Sequence, residues 1–219
     1  MTSSTKTRLI LVPAAGFGRR VGSPEAKELL PRPDGRLFID QVLLDGLRLQ
    51  IPVHVITRKE KASLIEYLEN FKKQNDHLIS IQLVESSKEW PDTLLQSEDQ
   101  WYEENLVYLP DMEFSPDSAP GNLFDSLKDK DAGFATFAVD DPRKWGVIAQ
   151  NENQFSLCEK PTIVKREMAW GLFSFRKNIG KNLLSAILES TFDHQWKSLN
   201  LKIAEVQLEN YKDLSRGPS

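Results

Sequence analysis

Three glycines, two arginines and a lysine crowd the segment 11–31, LVPAAGFGRRVGSPEAKELLP, directly after a short apolar run. Gly16 and Gly18 lack a Cβ and let main-chain N–H groups come close to an anion. Arg19, Arg20 and Lys27 add fixed positive charge at the same place. Backbone donors and cations together are what a polyphosphate needs when charge builds on its oxygens during transfer. The usual glycine-loop chemistries do not fit. Gly18 is followed by Gly22, and the next strand-like run, 53–57, ends in Arg58-Lys59 where a dinucleotide site needs an acidic residue for the ribose. No Gly-Lys-Ser/Thr is present, which excludes a Walker-type loop.

A second chemical signal lies downstream. Asp111 follows the apolar run Leu106-Val107-Tyr108-Leu109 at what would be its carboxyl end, where open α/β sheets hold ligands. A carboxylate there suits Mg²⁺, although an Asp after Pro also serves as a turn or helix cap. The histidines at 54, 77 and 194 and the single cysteine, Cys158, have no metal-ligand spacing. No Ser-His-Asp order with a nucleophile elbow is visible.

In wording and order these segments resemble the sugar-phosphate nucleotidyltransferases, or nucleotide-sugar pyrophosphorylases. The carriers are Ala14-Ala15-Gly16-Phe17-Gly18-Arg19-Arg20 with Lys27 and Leu29-Leu30-Pro31, and Pro91-Asp92-Thr93-Leu94, where the family usually has glycine at Thr93. They continue with Leu109-Pro110-Asp111, Trp145-Gly146-Val147, Glu159-Lys160-Pro161, Ala169-Trp170-Gly171-Leu172-Phe173 and Tyr211-Lys212-Asp213. The opening loop is also similar to that of methylerythritol-phosphate cytidylyltransferases, so a cytidylyltransferase acting on another phosphorylated polyol is an alternative. A non-catalytic relative binding a nucleotide or sugar phosphate is another, since Arg19, Ala26, Thr93 and Leu214-Ser215 depart from the family's wording.

The resemblance implies transfer of a nucleotidyl group from a nucleoside triphosphate to a sugar-1-phosphate, with Mg²⁺ as cofactor and release of pyrophosphate. It assigns Arg20 and Lys27 to catalysis, and Ala14, Ala15, Gly16, Gly18, Arg19, Pro91 and Thr93 to the nucleotide. It assigns Gly146, Glu159, Lys160 and Gly171 to the sugar phosphate, and Asp111 and Asp213 to the metal. Ala26 stands where the family places proline before the lysine, which leaves the direction of Lys27 open.

These residues need a scaffold, and the chain patterns one. Strand-like runs at 9–12, 53–57, 79–84, 106–109, 134–139 and, as a last short strand, 203–206 alternate with helical stripes. The stripes are Phe38, Ile39, Val42, Leu43, Leu47; Leu64, Ile65, Leu68, Phe71; and Ile179, Leu183, Leu184, Ile187, Leu188. Such alternation predicts an α/β fold. With the resemblance, the expectation is one Rossmann-like domain over 1–219, of the GT-A type. Its sheet would be mixed and mostly parallel, with helices on both faces and the ends 1–6 and 215–219 flexible. The 115–131 stretch, with Pro116, Pro120 and Gly121, reads as a surface loop with a short helix at 123–127.

The chain has 219 residues, 40% of them hydrophobic, and a formal net charge of −4, which argues against a nucleic-acid partner. A lone cysteine and the lack of a long apolar segment suggest a soluble cytoplasmic protein without membrane attachment. A homo-oligomer is one of the partner states the sequence allows, and the choice is left open.

Overall fold

The computed structural model describes residues 7–16, 26–75, 78–151, 154–166 and 168–214. The expected flexible ends 1–6 and 215–219 lie outside them. Among the described residues the largest element is a ten-stranded mixed sheet.

Its first half is parallel. β1 (Arg8–Pro13), β2 (Val53–Thr57), β3 (Ile79–Leu83) and β4 (Glu104–Val107) lie in the order β4-β1-β2-β3. β1 and β2 are buried along nearly their whole length, as strands covered on both faces must be, and their β-branched composition suits that. The second half turns antiparallel. β9 (Met168–Arg176) pairs with β4, and beyond it run β7 (Gly146–Asn151), β8 (Gln154–Glu159) and β10 (Lys197–Leu199). β6 (Ala132–Ala138) also pairs with β9, and β11 (Ile203–Gln207) runs parallel to β6. β5 (Met112–Ser115) and β12 (Asn210–Asp213) form a separate antiparallel pair.

The helices divide between two faces. α1 (Asp40–Leu49), α2 (Ala62–Gln74) and α4 (Ala119–Ser126) pack Val42, Leu43, Leu64, Leu68, Leu123 and Phe124 on one side. α3 (Trp90–Leu95) and α5 (Lys177–Asp193) pack Leu94, Leu183, Leu184 and Ile187 on the other. The fold class expected from the sequence is therefore observed: a mixed α/β sheet with helices on both faces.

Two local expectations need correction. Residues 115–131 are not mainly a surface loop: α4 starts four residues earlier than expected and buries Leu123 and Phe124 completely. Pro120 misled because it sits in the first helical turn, where a missing N–H costs nothing. The strand at 203–206 is not the last, since β12 follows it. β12 has an alternating half-exposed pattern and among the described residues pairs only with β5, nearly 100 residues away, so its local sequence carries little signal.

Candidate active site

The carboxyl ends of β1 and β4 converge on one rim. Leu11 pairs with Val107, and Val107 with Phe173 on β9; three residues nearer the rim lie Ala14 and Pro110 on the parallel strands and, because β9 runs the other way, Trp170, three residues before Phe173. At this rim Lys27 and Asp111, 84 residues apart in sequence, meet: Lys27 Nζ donates to Asp111 Oδ2 at 2.9 Å. The Asp111 side chain is only 13% exposed. Burial pushes the Lys27 ammonium down, but contact with Asp111, aided by Glu28 and Asp213, outweighs it and raises the pKa above the usual lysine value. Asp213 arrives on β12, paired with Met112, and Leu214 N–H donates to Asp111 O at 2.9 Å. The two predicted metal ligands therefore sit close together, Asp111 in the turn before β5 and Asp213 at the end of the paired β12, beside the predicted catalytic lysine.

Lys27 opens a single 3-10 turn, Lys27–Leu29, and the direction of its neighbours fixes it. Ala26 has φ −58° and ψ 125°, close to the extended geometry proline imposes, so the missing proline leaves the chain path intact. Glu28 turns inward and is fully buried, taking two hydrogen bonds from Lys61 Nζ at 2.9 and 2.8 Å. Burial lowers the Lys61 pKa despite Glu28, and the charges of Lys27 and Arg58 act in the same direction. Lys61 is the residue preceding α2, so this ion pair ties the Lys27 turn to the loop after β2. Sequence reading missed it; the only trace was a run of basic residues where a ribose-binding carboxylate had been sought.

Tyr108 was missed as well. It follows β4 directly, is fully buried, and donates its hydroxyl to Asp45 Oδ2 at 2.9 Å. Asp45 is held in turn by Arg48 at 2.7 Å, and Arg48 also donates to the Asp117 carbonyl. Burial first, and then Asp45, pushes the Tyr108 pKa well above its ordinary value, so the hydroxyl stays a donor. This network anchors the strand end from which Asp111 projects.

The remaining predicted residues divide. Ala14 and Ala15 are fully buried at the end of β1, and Gly16 is exposed with open space where a Cβ would be. Gly18, Arg19 and Arg20 lie outside the described residues. Pro91 is in the first turn of α3. Thr93 is buried in the same helix; its N–H is bound to Glu89 O at 3.2 Å and its hydroxyl lies 2.6 Å from Ser87 Oγ.

Lys160 is 133 residues from Lys27 in sequence and takes the left-handed conformation, φ 52°, with its N–H on Trp145 O at 2.8 Å. Glu159 ends β8 opposite Gly146, the first residue of β7. Gly146 and Gly171 both face aromatic rings: a Cβ at Gly146 would lie 2.6 Å from the Trp170 indole, and one at Gly171 2.5 Å from the Tyr211 ring. Tyr211 also stacks on Phe137 at 3.8 Å and meets the edge of Trp145 at 5.7 Å. It thus fastens β12, and with it Asp213, to the segment carrying Gly146.

The donor set suits a hard cation. Among the described residues no cluster of three or more His, Cys, Asp or Glu could hold a metal, so the pair implied by the resemblance, Asp111 and Asp213, would be the protein's whole contribution. Two carboxylates with the remaining positions left to water and phosphate oxygens is the pattern Mg²⁺ accepts. Among the described residues no helix is long and apolar enough to cross a membrane.

No protein-family model and no curated protein matches the chain. Solved structures do. A structure described as a glucose-1-phosphate thymidylyltransferase from Bacillus anthracis, in complex with sucrose, superposes with a TM-score of 0.74 at 18% identity, covering 95% of this chain and 89% of that one. The UDP-glucose pyrophosphorylase of Acinetobacter baumannii gives 0.66 at 17% identity, covering 95% and 88%. Its UTP-bound form gives 0.65 at 17% identity with the same coverage. At such identities the likeness is one of fold.

Proposed function

We propose that this protein is a nucleotidyltransferase that joins a nucleoside monophosphate unit to a sugar-1-phosphate and releases pyrophosphate. The observation that carries the reading is the junction of Lys27, Asp111 and Asp213 at the carboxyl rim of the parallel strands. The nucleotide and acceptor names borne by the structures of the same fold agree with it.

In-line attack of an acceptor phosphate oxygen on the α-phosphorus needs positioning and charge stabilisation more than covalent chemistry. Gly16, and Gly18 two residues on in sequence, would admit the triphosphate to backbone N–H groups after β1. Arg20 would neutralise the departing pyrophosphate, Lys27 would bear on the α-phosphate, and Lys160 would hold the acceptor phosphate. Glu159 would accept hydrogen bonds from acceptor hydroxyls. Asp111 and Asp213 would hold Mg²⁺, which when bound withdraws charge from the phosphate oxygens. Glu28, Lys61, Tyr108 and Asp45 touch none of these groups and keep Lys27 and Asp111 in place.

The test is pyrophosphate release from each common nucleoside triphosphate against a panel of sugar-1-phosphates with Mg²⁺. Turnover with one pair supports the reading. Pyrophosphate only from CTP with methylerythritol phosphate would replace it with the polyol alternative, and nucleotide binding without turnover on any acceptor would favour a binding protein.

A further inference from the structure

The acceptor side contains an indole that none of the roles above uses. Trp170 on β9 is 5% exposed, and among the described residues its Nε1–H has no hydrogen-bond partner. Buried donors are nearly always paired, so an orphaned one marks a place where a partner arrives or strain is held. Its location favours an arriving partner. Gly146 pairs with Glu159, and Val147 with Ala169, which places Gly146 beside Trp170 in one row across β8, β7 and β9. Residues opposite one another on antiparallel strands share a face. Glu159, Gly146 and Trp170 therefore line up as a carboxylate, a bare backbone floor and an indole, and the indole leans onto the glycine. The row stands at the same rim as Asp111. Trp90, the first residue of the helix bearing Pro91 and Thr93, braces the indole from the nucleotide side with ring centroids 5.9 Å apart.

We propose that Trp170 is an acceptor-contacting, specificity-determining residue whose indole N–H donates to a hydroxyl of the sugar phosphate that Glu159 also holds. The proposal rests on the nucleotidyltransferase reading and deepens it. A hydroxylated ring pairs naturally with a carboxylate acceptor on one side and a fixed donor on the other. The indole also occupies the space above Gly146, so a compact acceptor fits this row better than one with bulky substituents on that face.

The experiment compares wild type with Trp170→Phe, which keeps a six-membered ring in the aromatic cluster and removes the donor together with the five-membered ring that bears it. With UTP and glucose-1-phosphate as probes, KM for glucose-1-phosphate is expected to rise about tenfold, the scale of one neutral hydrogen bond. KM for UTP and kcat are expected to stay within about twofold, since the nucleotide contacts are untouched. Unchanged acceptor KM, or equal losses for both substrates, overturns the proposal and leaves the general reading standing.

If wild type turns over no acceptor, that reading fails by itself. Calorimetric titration of glucose-1-phosphate into both proteins then decides this one: weaker binding to the variant supports it, and equal or absent binding overturns it. Should Trp170→Phe not fold, Gly146→Ala displaces the indole from the other side and is expected to raise the same acceptor KM; an unchanged value overturns the proposal.

Discussion

The two halves of the sheet hold the candidate site residues by different physics. In the parallel half, buried charges do the positioning: Glu28 on Lys61, Lys27 on Asp111, and Tyr108 on Asp45. In the antiparallel half, rings pressed on glycines do it: Trp170 on Gly146 and Tyr211 on Gly171. Charges at the first site match the demand of a triphosphate, and each is kept in register by an opposite charge in low-dielectric surroundings. Rings and bare backbone at the second suit an uncharged sugar ring, where shape decides more than charge.

Removing one partner should expose this difference. Lys61→Ala strands a fully buried Glu28 and is expected to cost about 3–5 kcal/mol in urea unfolding. Lys61→Met with Glu28→Gln should recover much of that loss, because no bare charge remains. If the single variant is as stable as wild type, the ion pair does not hold the turn.

Lys27→Ala, Arg20→Ala and Asp111→Ala address chemistry in the same half. Each should lower kcat by about 10²-fold or more with an unchanged far-UV spectrum. Wild-type rates in all three would remove the parallel half from catalysis.

On the aromatic side, Gly171→Ala drives a methyl to 2.5 Å from the Tyr211 ring. The expected loss is about 1–3 kcal/mol in thermal unfolding, the usual scale of overpacking. Activity should fall with it, since Tyr211 carries the strand of Asp213. Gly171→Ala in a Tyr211→Leu background should cost less, and an equal cost in both backgrounds would contradict the ring contact.

The smallest effect concerns pH. His54 on β2 is buried between Ser80 Oγ at 2.8 Å and Gln82 Oε1 at 3.0 Å, and burial lowers its pKa from 6.5 despite the Gln82 contact. The unfolded chain therefore binds this proton more readily. Stability from the neutral imidazole is complete above 6.5 and is lost as pH falls from there through the folded value. His54→Asn should flatten the dependence of Tm on pH across that range, and an unaltered slope would show that the imidazole is not the group responsible.

Much of the parallel half was legible from the sequence. β1, β2 and β3 and the stripes of α1, α2 and α5 follow from periodicity, because a strand or helix buried on known faces must repeat its apolar residues at fixed spacing. The resemblance of motifs singled out Lys27, Asp111 and Asp213, and the structure brings these three together. β5 and β12 were not legible, since each is four residues long and finds its partner far along the chain.

By itself the sequence determined the α/β alternation, the clustering of glycines and cations after the first apolar run, and the carboxylate after β4, since each is a local pattern of residue types. Only the tertiary structure decided that Asp213 stands by Asp111, that Lys61 neutralises Glu28, and that Trp170 rather than open space covers Gly146. Those outcomes depend on strand register and on contacts over 24 to 102 residues of chain, distances at which residue type and spacing carry no direct signal.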